Sequence, residues 1–193
     1  PAPSATVALQ ALSSVTKIVQ DFSTLGKDQA QANALVVDDG SGAAVALSSK
    51  LLKQGWQVTV LKPNWLVTSS KKTFSKAVNL VEIGNVKIGS NDNTVVEEQV
   101  KQLLEQHAQL DAVIYLQAKN MVNTIEFPEA AKQGLMLAFV LAKLCQVKSA
   151  KVARASFVVV TRQGGTLGFA NGEQNIKADL HADLVQGGLG GLV

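Results

Sequence analysis

The chain is poor in the residues that build covalently or metal-stapled scaffolds. A single cysteine, Cys145, excludes an internal disulfide framework, and with only two histidines, His107 and His181, a zinc site would need carboxylates to complete it. Charge is sparse as well. Only 17% of residues are charged, the formal net charge is +3, and the 18 Lys and Arg are scattered, densest at Lys71, Lys72 and Lys76. A sequence pI near 9.0 spread so thinly makes no electrostatic footprint for nucleic acid. No apolar run approaches the roughly 18 residues of a membrane span, and no basic, apolar, small-residue signal opens the chain. These absences predict a cytoplasmic protein with no metal, no nucleic-acid partner and no membrane span. What is present is a 47% hydrophobic share over 193 residues, enough to bury the core of one domain of ordinary size.

The two ends read as parts of something larger. Pro1-Ala2-Pro3-Ser4-Ala5 has the composition of a semi-rigid linker, whereas Gly187-Gly188-Leu189-Gly190-Gly191-Leu192-Val193 is apolar and carries no stop signal. Val7, Leu12, Val15, Ile18 and Val19 fall roughly on one helical face, which predicts an amphipathic helix over 6–20. Residues 1–33 are therefore assigned to a linker and an N-terminal amphipathic helix, and 34–193 to the folded unit.

Within that unit two periodicities alternate. Ala34-Leu35-Val36-Val37 is a short apolar run stopped by Asp38-Asp39-Gly40-Ser41-Gly42, after which Ala44, Leu47, Leu51 and Leu52 return at helical spacing up to Gly55. Trp56 to Leu61 reads as a second strand ended by Lys62-Pro63-Asn64, and Ala77 to Ile83 as a third. Thr94-x-x-Glu97 matches a capping box ahead of a helix with Val96, Val100, Leu103, Leu104 and His107 on one face. Strand 110–116, a helix from Pro128 toward Val147, strand 155–160, a loop over 161–171 and a final helix from about Lys177 complete the expectation. Strands separated by helices require parallel pairing, and unbroken apolar runs such as Phe157 to Val160 suit strands covered on both faces. The fold class is α/β, a doubly wound parallel sheet of Rossmann type.

Such a sheet binds dinucleotides when glycines after its first strand let backbone N–H groups approach a pyrophosphate at a helix N-terminus. Residues 38–44 have the location but not the composition. Against the Thr-Gly-x-x-x-Gly-x-Gly spacing of short-chain reductases, the glycine places fall at Asp39, Ala43 and Val45, so side chains and a carboxylate stand where phosphate would lie. Asp38 and Asp39 add negative charge beside a negative ligand. The Tyr-x-x-x-Lys pair, in which the Lys lowers the phenol pKa for proton transfer, is missing too: Ala182 stands at the Tyr place and Gln186 at the Lys place. No catalytic, cofactor-binding or metal-binding residue is assigned.

The remaining candidates read as structure. Tyr115, the one tyrosine, lies on an apolar strand and is assigned to the core; Cys145 lies in an apolar helix with no base or cation to form a thiolate. His107 ends a helix and favours its dipole, and His181 with Asp179 and Asp183 reads as a solvated helix face rather than a ligand set. Lys71, Lys72 and Lys76 read as a solvated loop with the capacity to meet an acidic partner or phosphate. Trp56 and Trp65 bracket the second strand as packing anchors.

The order of these degenerate motifs resembles one family: Ala34 to Gly42, Gly55-Trp56-Gln57-Val58-Thr59-Val60-Leu61, Leu110 to Leu116, Phe157 to Arg162 and Gly187 to Val193. It is similar to the structural, non-catalytic half of the ketoreductase domain in polyketide synthases and, more specifically, bacterial polyunsaturated fatty acid synthases. The resemblance spans about residues 33 to 193. It implies a truncated Rossmann-like subdomain without cofactor, packed against a second half of the same polypeptide that carries NADPH and the Ser, Tyr and Lys that reduce a β-ketoacyl chain on an acyl carrier protein. Two other classes compete with it: a self-sufficient short-chain-reductase-like nucleotide-binding domain, and a module that dimerises through an uncovered sheet edge.

Overall fold

The structure is a computed structural model, and it describes residues 32–66, 68–84, 94–107, 109–118, 129–149, 155–161 and 188–189. Eight elements follow in chain order: β1 (Asn33–Val37), α1 (Ala43–Lys53), β2 (Gln57–Pro63), β3 (Asn79–Ile83), α2 (Thr94–Gln106), β4 (Ala112–Leu116), α3 (Glu129–Ser149) and β5 (Ser156–Val160). The expected helix over 6–20 and the loop over 161–171 lie outside the described residues. Of the expected C-terminal helix, Gly188 and Leu189 are described, and both are helical.

All pairings are parallel, and the sheet order is β3-β2-β1-β4-β5, with β1 in the middle. This is the α/β Rossmann-like, doubly wound architecture that the alternating periodicities predict. The direction of strand order reverses between β1 and β4, so the ends of these strands border the crevice where open parallel sheets place ligands.

Alternation along the strands sends side chains to two separate cores. Leu35, Val37, Leu61, Val113 and Tyr115 meet Val96, Val100, Leu103 and Leu104 of α2 and Leu137, Ala138 and Leu141 of α3 on one face. Ala34, Val36, Val58, Val60, Ala112 and Ile114 meet Ala44 and Leu51 of α1 and Trp56 on the other. The middle strand is buried on both faces, which is why its sequence shows no polar alternation. Leu189 is part of the α2–α3 core, and a side chain on Gly188 would approach Leu135 Cδ2 at 3.3 Å, so Gly188 and Leu189 sit close against α3.

Strand boundaries differ from expectation: β1 opens at Asn33 rather than Ala34, β2 at Gln57 rather than Trp56, β4 at Ala112 rather than Leu110 and β5 at Ser156 rather than Ala155. β2 runs through Lys62 and Pro63 instead of stopping at Leu61. Asp38 N donates to Leu61 O (2.9 Å) and Asn64 N to Ile83 O (2.8 Å), so the missing Pro63 amide faces the β1 side, one step beyond the last residue of that strand. No ladder bond is lost there, and proline is tolerated. β3 begins at Asn79 rather than Ala77.

The β2-to-β3 connection also departs from the helix-per-crossover pattern: its described residues between Asn64 and Val78 contain no helix. Its hydroxyls cap nearby amides instead, Ser70 Oγ accepting from Lys72 N (3.1 Å) and Ser75 Oγ from Ala77 N (3.3 Å). Such local bonds compete with helix formation. As a result the α1 side of β3 is thinly covered, and Leu80 is 45% exposed.

Candidate functional site at the end of β1

The turn after β1 stands at the switch point, where a nucleotide phosphate would be expected, and its amides are consumed by the chain itself. Asp38 Oδ1 accepts from Gly40 N (3.1 Å), and Asp39 Oδ1 accepts from Ser41 N (3.1 Å) while its Oδ2 accepts from Ser41 Oγ. Ser41 Oγ in turn accepts from Ala43 N at the start of α1 (3.3 Å). Each of these is an Asx or Ser turn of the kind short polar side chains form with amides two residues on. Three N–H groups that would otherwise point at an anion are thereby satisfied.

The space above the turn is filled from a distant part of the chain. Ser69 N (2.9 Å), Ser70 N (3.3 Å) and Ser69 Oγ (3.1 Å) all donate to Gly40 O, drawing the β2-to-β3 connection over the start of α1. Gly40 and Gly42 adopt positive φ, 71° and 88°, and a Cβ on Gly42 would stand 2.5 Å from Ser70 Oγ. Glycine is required here to admit Ser70, not a phosphate. The sequence places obstructing side chains at Asp39, Ala43 and Val45; the structure instead turns the aspartates inward and fills the space with Ser70.

Burial raises the Asp38 carboxyl above the usual aspartate range, with the neighbouring Asp39 charge acting in the same direction; the Gly40 amide and Lys62 only partly offset this. Lys62, at the end of β2, also lies 3.6 Å from Glu82. Beside the turn, Asp38, Lys62, Ser70, Lys72, Phe74 and Leu80 are among the residues lining a cavity of about 350 Å3.

The other candidates are dispersed. Tyr115 is buried and its hydroxyl donates to Gly134 O of α3 (2.8 Å); burial pushes its phenol pKa up, away from any acid role near neutrality. Cys145 is buried in the α2–α3 core. His107 Nε2 lies 3.4 Å from Thr59 Oγ1, on the sheet face packed by α2. Trp56 is buried and Trp65 half-buried, each against one of the cores, as packing anchors should be. Lys71 and Lys76 are exposed, whereas Lys72 lines the cavity. Asp179, His181, Ala182, Asp183 and Gln186 lie outside the described residues. Among the described residues, no three His, Cys, Asp or Glu side chains converge as a metal site, and no helix is long and apolar enough to cross a membrane.

Sequence reasoning missed Lys62, Ser69 and Ser70. Lys62 reads in the sequence as turn punctuation, and nothing in the spacing of Ser69 and Ser70 links them to Gly40, which they meet only through the sheet.

A pyrophosphate does not fit this turn as built, because the Gly40, Ser41 and Ala43 amides already have acceptors and Ser70 occupies the approach. No family model and no curated protein matches the chain. Solved structures do. A short-chain dehydrogenase from Leptospira borgpetersenii with bound NAD+ is 18% identical, with a TM-score of 0.54 over 87% of this chain and 64% of its own. The protein called carbonyl reductase Sniffer of Caenorhabditis elegans is 13% identical, with a TM-score of 0.49 over 83% of this chain and 76% of its own. This chain thus spans less than two thirds of the Leptospira protein's length, and what it shares with that protein is the Rossmann-like fold.

Proposed function

We propose that this chain is the non-catalytic structural half of a β-ketoacyl reductase domain in a cytoplasmic, multidomain polyunsaturated fatty acid or polyketide-type synthase. Its role is to pack against, and hold the shape of, a second half of the same polypeptide that binds NADPH and reduces β-ketoacyl thioesters on acyl carrier protein domains. One observation carries the reading: the nucleotide turn is closed from within, its amides held by Asp38, Asp39 and Ser41 and its approach held by Ser70. A fold that keeps the Rossmann layer yet saturates its phosphate donors retains the architecture for packing rather than for cofactor. The burial of Tyr115 points the same way.

The decisive experiment joins the chain to the downstream sequence and assays reduction of a β-ketoacyl thioester with and without residues 1–193. Activity and soluble yield are expected to fall when the segment is removed; equal activity without it defeats the proposal.

A second reading, a self-sufficient nucleotide-binding domain, is favoured by the cavity beside the turn with Lys62 and Lys72 in its wall. Thermal denaturation separates the two. NADPH at a hundred times its dissociation constant would add about 2.7 kcal/mol of stability, so a clear rise in Tm supports the second reading and no change supports the first.

A further inference from the structure

A doubly wound sheet needs helices on both of its faces. Among the described residues, α2 and α3 cover one face, whereas α1 alone stands on the other, over β1 and β2. The β2-to-β3 connection adds no helix there, so Leu80 of β3 is 45% exposed and Phe74 is only half-buried. Phe139 is exposed too, but a single apolar residue on the outer surface of a helix is ordinary. An apolar sheet face open beside a packed core calls for a cover.

One segment of the chain has the matching surface. At about 100° per residue, Val7, Ala11, Leu12, Val15, Ile18 and Val19 fall within an arc of about 140°, and Gln10, Ser13, Ser14 and Lys17 lie on the other side. A helix over 6–20 would be about 22 Å long, enough to cover the five residues of β3. It can also reach. Lying antiparallel to the strands, as crossover helices do, it would end at the sheet's amino edge, where Asn33 opens β1. β1 and β3 stand about 10 Å apart, two strand spacings, and residues 21–32 can span up to about 40 Å. Charge neither draws nor repels such an occupant: Lys62 and Lys72 are balanced by Asp38 and Glu82, and the one charge within 6–20, Lys17, falls on the polar side. Apolar surface selects it.

We propose that residues 6–20 form the missing helix of the α1 face and lie along β3, with Val15 against Leu80 and Phe74. The folded unit then begins near residue 6, and the connection that carries Ser70 over the glycine turn is held from outside by this helix. The packing stands whether or not the turn takes a cofactor.

Cysteine pairing in the full chain tests it, with the buried Cys145 changed to alanine. Val15→Cys with Leu80→Cys is expected to form an intrachain disulfide under mild oxidation. It should form about tenfold faster than Lys17→Cys with Leu80→Cys, from the polar side, or Val15→Cys with Phe139→Cys. Independently, Val15→Asp should speed hydrogen exchange of the β3 amides about tenfold and leave those of β4 unchanged. Equal rates for the three pairs, faster pairing with position 139, disulfides formed only between chains, or β3 exchange unmoved by Val15→Asp would each overturn the proposal.

Discussion

Ser70 stands over Gly42 so closely that a methyl group on the glycine would lie 2.5 Å from the serine hydroxyl oxygen. The two residues come from different crossovers, α1's entry and the β2-to-β3 connection, and their contact closes the turn after β1.

Gly42→Ala meets two obstacles, the Ser70 side chain and a φ of 88° that L-residues disfavour. A loss of about 1–3 kcal/mol is expected by urea denaturation. In a Ser70→Gly background the steric part should disappear and the backbone part remain, so the double-mutant cycle should show coupling. Strict additivity of the two substitutions would count against the contact.

Asp38→Asn keeps an oxygen for the Gly40 amide while removing a buried charge. Because the folded-state pKa of Asp38 is raised, the folded protein binds this proton more tightly than the unfolded chain does. The associated stability is full below the ordinary aspartate pKa of about 3.9 and is lost as pH rises through the folded value. Above the folded value the wild type therefore carries the whole cost of the charge, and the variant should be the more stable. The gap should close on acidification; a gap that does not vary with pH refutes the burial penalty.

Tyr115→Phe removes the hydrogen bond to Gly134 O, and a loss of about 1 kcal/mol at neutral pH is expected. The wild type should also lose stability as pH rises above the ordinary tyrosine pKa of about 10, since its raised folded-state pKa means that ionisation favours the unfolded chain. The variant should lack that alkaline component, which chemical denaturation between neutral and alkaline pH would reveal.

Leu189→Ala should destabilise by about 2–5 kcal/mol, as expected for a fully buried leucine. Phe139→Ser, on the exposed face of α3, should stay within about 0.5 kcal/mol. If both substitutions proved neutral, the docking of Leu189 into the α2–α3 core would be wrong.

Much of the layer was legible from local pattern. Ala34 to Val37 and Ala112 to Leu116 announce buried parallel strands because a strand covered on both faces has no room for polar alternation, whereas the equally apolar Phe157 to Val160 forms the terminal strand β5 of the described sheet and is only half-buried. Val96, Val100, Leu103 and Leu104 announce α2 because one helical face must meet the sheet. The absence of phosphate glycines and of the Tyr-Lys pair was equally plain, since each is a matter of which residue stands at which spacing. What replaced the phosphate was decided by tertiary structure alone. Ser69 and Ser70 reach Gly40 only because parallel pairing sets the ends of β1 and β2 side by side, and a hydrogen bond across that distance in sequence leaves no periodic trace. The same holds for Lys62 and Lys72. Their charges share one cavity wall with Asp38, and Lys62 meets Glu82, only once folding lays β1, β2 and β3 side by side.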